Sequence, residues 1–587
     1  MAISEIFNSS RQGLFASQGA LRTISNNIAN VNTPGYSRQV VSLESIKSSR
    51  VAGANDGASG NGVQIAGVNR QVDQLLERKL RVGMSETGRL EVRDRYLTLI
   101  ENTFNDLADN GLSTSMDRFF NAVDDLSSNP ASSTARAEMV SAAQVFASTS
   151  NRMYAAMGDL SMPVDQEITL LLKDINTRLG SLRDINRLIV RQESSSQSSL
   201  ELRDQREAML QELGERIDIQ VLEDADGGVI VSTANGQLLL DREYAGNLER
   251  GGSSTGEHGF AGISINGRDF DFTGQIRGGT LKGLIEVRDQ MINGRNGVLN
   301  QLNTLVTEFR DQVNSVATQA TSRAMSTEMR GSFWVASTNV ALSADTNLIQ
   351  AGLTDRIGTG DVTFVVNNGA GGSLRSVQVP LDQSMSMTQI REAIEASMPE
   401  LSAEIVDNRL VISSKDKSVK FAVAADSSGI LVALGIGAMF TGTGASDIDV
   451  NPELIPESGG SYANVRTGRI DMSGASPRFN DIDNTAMLEL SRLRTLKLSL
   501  FDSEATLTAH YAGMVGEVGA EQRQNQDMLL TQQTVQQFLA DTRDSVSGVS
   551  LDEELTDMLR YQRSYQASGR MISVADELFK TILSMGM

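Results

Sequence analysis

Two histidines, no cysteine and scattered carboxylates are the raw material for chemistry in this 587-residue chain. His258 stands in Gly256-Glu-His-Gly259, a loop, and His510 in a polar helical stretch. A metal site or a histidine-based triad is hard to assemble from two such residues, and each reads as an ordinary solvated histidine. Without cysteine there are no disulfides, thiolate metal sites or cysteine nucleophiles. Asp447-Ile-Asp-Val-Asn451 spaces its oxygens like a calcium loop, but Pro452 occupies the sixth position, where the tight turn requires glycine. The carboxylate pairs Asp124-Asp125 and Glu553-Glu554 are adjacent in helical patterns, so they point apart and read as solvated faces. Neither a G-x-S-x-G elbow nor a G-x-x-x-x-G-K-[ST] phosphate loop occurs. The expectation is therefore no catalytic residue, no metal, no cofactor and no enzyme. Trp334, the single tryptophan, reads as buried at a domain junction.

Composition narrows the partners. The net charge of −21 opposes sequence-independent nucleic-acid binding, which needs a basic face. No run of 18 apolar residues occurs, so no membrane insertion is expected. The opening Met1-Ala-Ile-Ser-Glu-Ile-Phe-Asn-Ser-Ser10 has no apolar h-region and no cleavage site, so a cleaved signal peptide is not expected. The length implies several domains.

With chemistry unpromising, helix periodicity becomes the strongest signal. Phe7, Leu14, Leu21 and Ile28 lie seven apart, and Ile3, Ser10, Ser17, Ile24 and Val31 form a second series offset by four. Together they make an a/d heptad seam over residues 1–33. Serine at two d positions lets another helix approach closely, with less apolar burial. Thr33-Pro34-Gly35 ends the helix. Leu551, Met558, Tyr565, Ile572 and Phe579 repeat the spacing at the other end, with Leu555, Ala575 and Ile582 widening the stripe. Ser550 caps that helix and Asp552, Glu553 and Glu554 fill its first turn. Each seam stays open until it meets another helix: the other terminus, another subunit or a nearby core.

Between the ends, residues 45–62 are small and polar and read as an exposed connector. Helical patterning runs, with breaks, from about 70 to 213. It is clearest at Ile168, Leu172, Ile175, Leu179, Leu182, Ile185 and Ile189, and is expected to continue through Ser194–Ser199. Residues 217–240 switch to period two around turns at Asp226-Gly227-Gly228 and Asn235-Gly236. After a glycine-rich stretch comes a helix with Val298, Leu302, Leu305, Phe309, Val313 and Val316 on one face. Strands are expected at 361–366, 376–381, 403–406, 409–413 and 417–423, with a capping box at Ser386-Met-Thr-Gln389 opening a helix. Helical pattern returns at 484–545, through Leu488, Leu493, Leu496, Leu500, Val535 and Phe538.

Two boxes at the ends carry a resemblance. They are Ser25-Asn-Asn-Ile-Ala-Asn-Val-Asn-Thr-Pro-Gly-Tyr-Ser37 and Ser547-Gly-Val-Ser-Leu-Asp-Glu-Glu554, the latter followed by Tyr561-Gln-Arg-Ser-Tyr-Gln-Ala567. The chain resembles bacterial flagellar axial proteins, and most closely the hook-associated protein 1 family of hook–filament junction proteins. Gly62-Val-Gln-Ile-Ala-Gly-Val-Asn-Arg70, Leu112-Ser-Thr-Ser-Met-Asp-Arg-Phe-Phe120, Asp125-Leu-Ser-Ser-Asn-Pro130 and Leu202-Arg-Asp-Gln-Arg-Glu207 are similar to that family too. The β–α–β–β stretch after 355 resembles the hook "IN" module, while the outer insert departs from better-known members.

The resemblance implies a mainly α fold with an α+β insert, in a discontinuous, multi-domain axial protein. Its terminal helices would pair as a coiled coil, with a long-helix bundle core and an outer α+β domain. The expected segments are an N-terminal assembly helix and turn (1–48), a helical core with a small β hairpin (49–330), the outer insert (331–470), a helical return (471–545) and a C-terminal assembly helix (546–587). The implied function is an adaptor joining hook to filament by polymerising through its ends. Phe7, Leu14, Leu21, Ile28, Leu551, Met558, Tyr565, Ile572 and Phe579 would form the assembly interface. The implied partners are other copies, the hook protein, a second junction protein and an export chaperone. The implied location is the extracellular flagellum, reached by flagellar type III export, and the absence of cysteine fits that route. Rivals are a hook or distal-rod protein, expected to be β-rich between its ends, and a secreted cell-wall hydrolase, which would need paired acids in a cleft.

Overall fold

The computed structural model describes residues 2–46, 62–104, 111–194, 199–251, 260–267, 271–322, 324–352, 356–367, 373–474, 476–480, 482–500 and 503–585. His258 and nearly all of the connector expected at 45–62 lie outside these residues. The helices are α1 (Ala2–Ala29), α2 (Gln74–Thr103), α3 (Leu112–Ser128), α4 (Ser133–Asp159), α5 (Ser161–Ser194), α6 (Leu200–Arg216), α7 (Gly279–Glu286), α8 (Val298–Thr318), α9 (Met387–Ser397), α10 (Ile430–Ala433), α11 (Thr485–Leu493), α12 (Leu507–Ser547) and α13 (Leu551–Met585). They gather into two compact units, one of residues 1–95, 164–287 and 523–587, the other of 96–163 and 288–522. This division by packing cuts across the sequence segments: 164–287 goes with the chain ends, and 96–163 goes with the insert.

In the first unit the apolar period of α5 does what its spacing dictates. Ile168, Leu172, Ile175, Leu179, Leu182 and Ile189 are buried, while Ile185 is only partly so. Asn186 takes its place in the core, accepting from Val229 N–H (2.8 Å) and donating to Val229 O (3.0 Å). That exchange fastens the small sheet of strands 220–223, 229–232 and 238–240 to the helix. The expected run of helix through Ser194–Ser199 is broken: Ser199 leaves helical geometry and α6 begins at Leu200. An antiparallel hairpin, Gln39–Ser45 with Val63–Arg70, was not expected. It packs on α1, and Gly19 admits it, because a Cβ there would collide with Ile65 Cδ1.

In the second unit α3, α4, α8 and α11 pack around buried aromatic rings. Phe309 is 5.3 Å from Phe119, 4.1 Å from Phe146 and 5.8 Å from Phe440, centroid to centroid. The α+β part holds two three-stranded antiparallel sheets. Strand 360–367 lies between 374–381 and 420–426, and strand 409–414 lies between 401–406 and 328–330. The capping box opens α9, whose Ile390 and Ile394 join Phe364, Val379, Ile412 and Phe421 in one core. Asp407 and Asn408 form the expected turn, at φ 51° and 59°. Trp334 is half-buried; its neighbours Phe333 and Val335 enter the core instead.

The helical pattern over 484–545 is realised as two helices with a break between them. Leu498–Leu500 and Ser503–Ala505 form a hairpin, pinned by His510, whose Nε2 lies 2.9 Å from Leu498 O. The Asp447 loop spends its oxygens on its own backbone. Asp447 Oδ1 accepts from Thr443 N–H (2.7 Å) and Gly444 N–H (2.9 Å), and Asn451 Oδ1 from Glu453 N–H (3.1 Å). Among the described residues, no group of three or more His, Cys, Asp or Glu side chains could hold a metal ion. Among them, too, no helix is long and apolar enough to cross a membrane.

Candidate assembly site at the paired chain ends

Within the first unit, α1 packs antiparallel along α13. A Cβ at Gly13 would lie 3.0 Å from Ser568 Oγ, Ser17 Oγ donates to Ser564 Oγ (3.2 Å), and Asn27 Nδ2 donates to Glu554 Oε2 (3.0 Å). The three pairs hold a single register, each step forward on α1 matched by an equal step back on α13. The residues α1 buries are, except for Ile24, small or polar: Ala16, Ser17, Ala20, Thr23, Ile24 and Asn27. Ser17 and Ile24 belong to the d series, and serine there permits the close approach.

The a series lies elsewhere. Phe7 is 42% exposed, and Leu14, Leu21 and Ile28 are only partly buried. On α13, Tyr565 is 40% and Phe579 54% exposed, Leu551 is exposed too, and Met558 and Ile572 are partly buried. Among the described residues of that helix, Glu554 and Ala575 are the buried positions. Thus none of the nine expected interface residues is fully buried in the single chain.

The junction is closed by a polar cluster. Asn27, 1% exposed, satisfies its amide fully: Nδ2 also donates to Gln39 O (2.9 Å), and Oδ1 accepts from Gln39 N–H (3.0 Å) and Tyr36 O–H (2.9 Å). Arg38 donates to Glu554 Oε1 and to Glu553 Oε2, both at 2.7 Å. Glu554 is 1% exposed, which corrects the reading of Glu553-Glu554 as a solvated pair. Burial first, then the charges of Asp204, Glu201 and Glu554, push the Tyr36 hydroxyl up to about 12, so it stays a hydrogen-bond donor.

Two further ties bind the turn after α1. Asp204 accepts from Ser37 N–H (3.3 Å) and pairs with Arg70 (2.8 Å). Arg543 donates to Gly35 O (3.3 Å) and to Glu77 Oε1 (3.2 Å), and Arg38 N–H donates to Ser547 O (2.8 Å). Gly35, at φ 78°, makes the expected left-handed turn. The sequence boxes at 25–37, 202–207 and 547–554 therefore meet at one place. Their spacing gives no sign of this, because 527 positions separate Asn27 from Glu554. The site can hold two chain ends in one register; it has no arrangement of nucleophile, base and acid.

Known proteins match these elements. The family model described as flagellar hook-associated protein FlgK helical domain matches residues 97–328. Those described as flagella basal body rod protein and flagellar basal body rod FlgEFG protein C-terminal match 7–36 and 536–585, on α1 and on the α12–α13 ends. Flagellar hook-associated protein 1 of Bacillus subtilis is 24% identical over 98% of this chain and 97% of its own length. That of Salmonella typhimurium is 25% identical over 99% of this chain and 100% of its own. The solved flagellar hook junction protein FlgK from Burkholderia pseudomallei is 16% identical, with a TM-score of 0.49 over 80% of this chain and all of that one. With both ends and the helical domain matched, and the relatives aligned nearly end to end, this chain is a homologue of the flagellar hook-associated protein 1 chains and a flagellar axial structural component.

Proposed function

We propose that this protein joins hook to filament by polymerising through its paired chain ends. One observation carries the reading: α1 and α13 touch through small and polar residues at Gly13–Ser568, Ser17–Ser564 and Asn27–Glu554, while many of their large apolar side chains are exposed. Phe7, Phe15, Leu551, Leu555, Leu559, Tyr565, Phe579 and Ile582 are all at least 40% exposed. An apolar surface of this kind along a helix pair is an interface awaiting a partner. A repeating, head-to-tail contact with further copies supplies one, as an open helical assembly requires. The nine expected interface residues serve there. The hook protein and a second junction protein adjoin the stack, an export chaperone covers the C-terminal segment beforehand, and the protein reaches the cell exterior by flagellar export.

The test uses Tyr565→Asp and Phe579→Asp. Both side chains are exposed in the single chain, so the purified variants keep wild-type helicity by circular dichroism. Each puts a charge on a surface that dries on assembly, which is costly. The expected result is export to the medium, no incorporation at hook tips and no swimming. Normal motility of both variants would refute the assembly role.

A further inference from the structure

The second unit contains a cavity of about 390 Å³ whose walls differ in character. Met139, Met439, Leu454, Met487 and Leu490 line it with apolar atoms, and Arg466 supplies a guanidinium. That guanidinium lies against Gly437, at φ 71°, where a Cβ would collide with its central carbon and both terminal nitrogens. A glycine is thus required to seat the arginine where it is.

Arg466 is poorly served by its own chain. Its Nη1 donates to Ala320 O at 3.3 Å, and no described carboxylate lies within 4.0 Å of it. Two fully buried arginines of this unit are well provided. Arg310 donates to the carbonyls of Gly442, Thr443 and Ala351, each at 2.8 Å, and pairs with Asp311. Arg136 reaches the carbonyls of Val465 and Pro130 and the Thr467 hydroxyl. Burial lowers the pKa of Arg466, and the attraction of Glu453 only partly opposes it. The Arg466 guanidinium, only partly buried, opens onto the cavity with most of its donors unused by the chain.

We propose that the Arg466 cavity binds a single carboxylate carried on a short apolar body. The planar fork of the guanidinium matches a carboxylate in two parallel hydrogen bonds. Glu453 and Glu328 also line the cavity and oppose any anion, a dianion more strongly than a single carboxylate. The three methionines adapt to the shape of the apolar portion. The volume falls in the range of small-molecule pockets, roughly 300–1,000 Å³.

The experiment is calorimetric titration of the full-length chain with hexanoate, using hexanol and hexylammonium as controls. Hexanoate should bind saturably in the millimolar range, hexanol about tenfold more weakly or worse, and hexylammonium not at all. Arg466→Gln should weaken hexanoate about tenfold. Gly437→Ala should do the same with the arginine still present, and Glu453→Gln should tighten it. If Arg466→Gln unfolds, the hexanoate–hexanol comparison on the wild type still decides. No saturable hexanoate binding, or equal binding of hexanol, overturns the proposal. Sedimentation at rising protein concentration separates the two sources of the carboxylate. Hexanoate-sensitive self-association that Arg466→Gln abolishes assigns it to an acidic side chain of a second copy. Insensitivity assigns it to a free acid.

Discussion

Replacing Asn27 with alanine should release the chain ends from each other without unfolding the rest of the unit. The side chain makes four hydrogen bonds, to Gln39 N–H, Gln39 O, the Tyr36 hydroxyl and Glu554. All four partners are buried, Glu554 most deeply. Alanine leaves them to share whatever water enters the space. A neutral hydrogen bond is worth about 1 kcal/mol net, and one to a charged group about 1.5–3 kcal/mol. Arg38 still holds the other oxygen of Glu554, which limits the loss there. The sum is roughly 3–5 kcal/mol, or at least a hundredfold in the local opening equilibrium.

Amide hydrogen exchange reads that equilibrium directly. In Asn27→Ala, protection across residues 16–27 and 554–568 should fall by about two orders of magnitude or more, while α5 stays protected. Glu554→Gln should fall less, because it retains the shape and one acceptor. If Asn27→Ala lowered protection less than about threefold, the buried amide would not be what holds the ends together. A parallel fall in α5 would show that the ends are not a separate cooperative element.

Other substitutions probe the rest of the chain. Phe309→Ala should destabilise the second unit by about 3–5 kcal/mol, read as a lower urea midpoint, because the ring contacts four other buried aromatics. Gly180→Ala should stabilise by about 0.5–1 kcal/mol, read as a higher Tm, because Gly180 lies inside α5 and a Cβ there meets nothing within 4 Å. Glu193 sets a pH dependence. Hydrogen bonding from Arg203, above all, holds its carboxyl below the ordinary value of 4.5. A depressed folded-state pKa gives stability that is present above 4.5 and lost as pH falls through the folded value. The urea midpoint should therefore decline below about pH 4.5, and Glu193→Gln should flatten that decline.

Much of this architecture was legible because apolar spacing is a physical demand. The faces of α5 and α8 followed from residues at steps of three and four, and the insert's strands from alternation between turn residues. Failures have equally physical causes. The hairpin at 39–45 and 63–70 is largely exposed, so it lacks the alternation that burial imposes on a strand. Leu496 and Leu500 continue the helical spacing of Leu493, yet the chain turns there, because His510 holds Leu498 into a hairpin. Glu554 was misread because a carboxylate in a helical first turn is ordinarily solvated. Its burial depends on Asn27 and Arg38, partners that no local window contains.

The heptads expose a more general limit. A seven-residue repeat of large apolar residues says that a helix has a face to bury, but not against what. Here the ends touch at Gly13, Ser17 and Asn27, Ala20 and Ile24 are buried on the same helix, and Phe7 and Phe579 remain exposed. A seam of small residues brings the backbones close but gains little from apolar burial. Its selectivity lies in the polar groups at one end. Sliding α13 by one turn would take Glu554 from Asn27 and Arg38 and leave a buried carboxylate without partners, at a cost of several kcal/mol. A large apolar seam has no such penalty, because leucine against leucine tolerates a shift. The polar cluster thus fixes one register while the apolar side chains stay unspent, and a helix pair built this way presents the same outward surface in every copy.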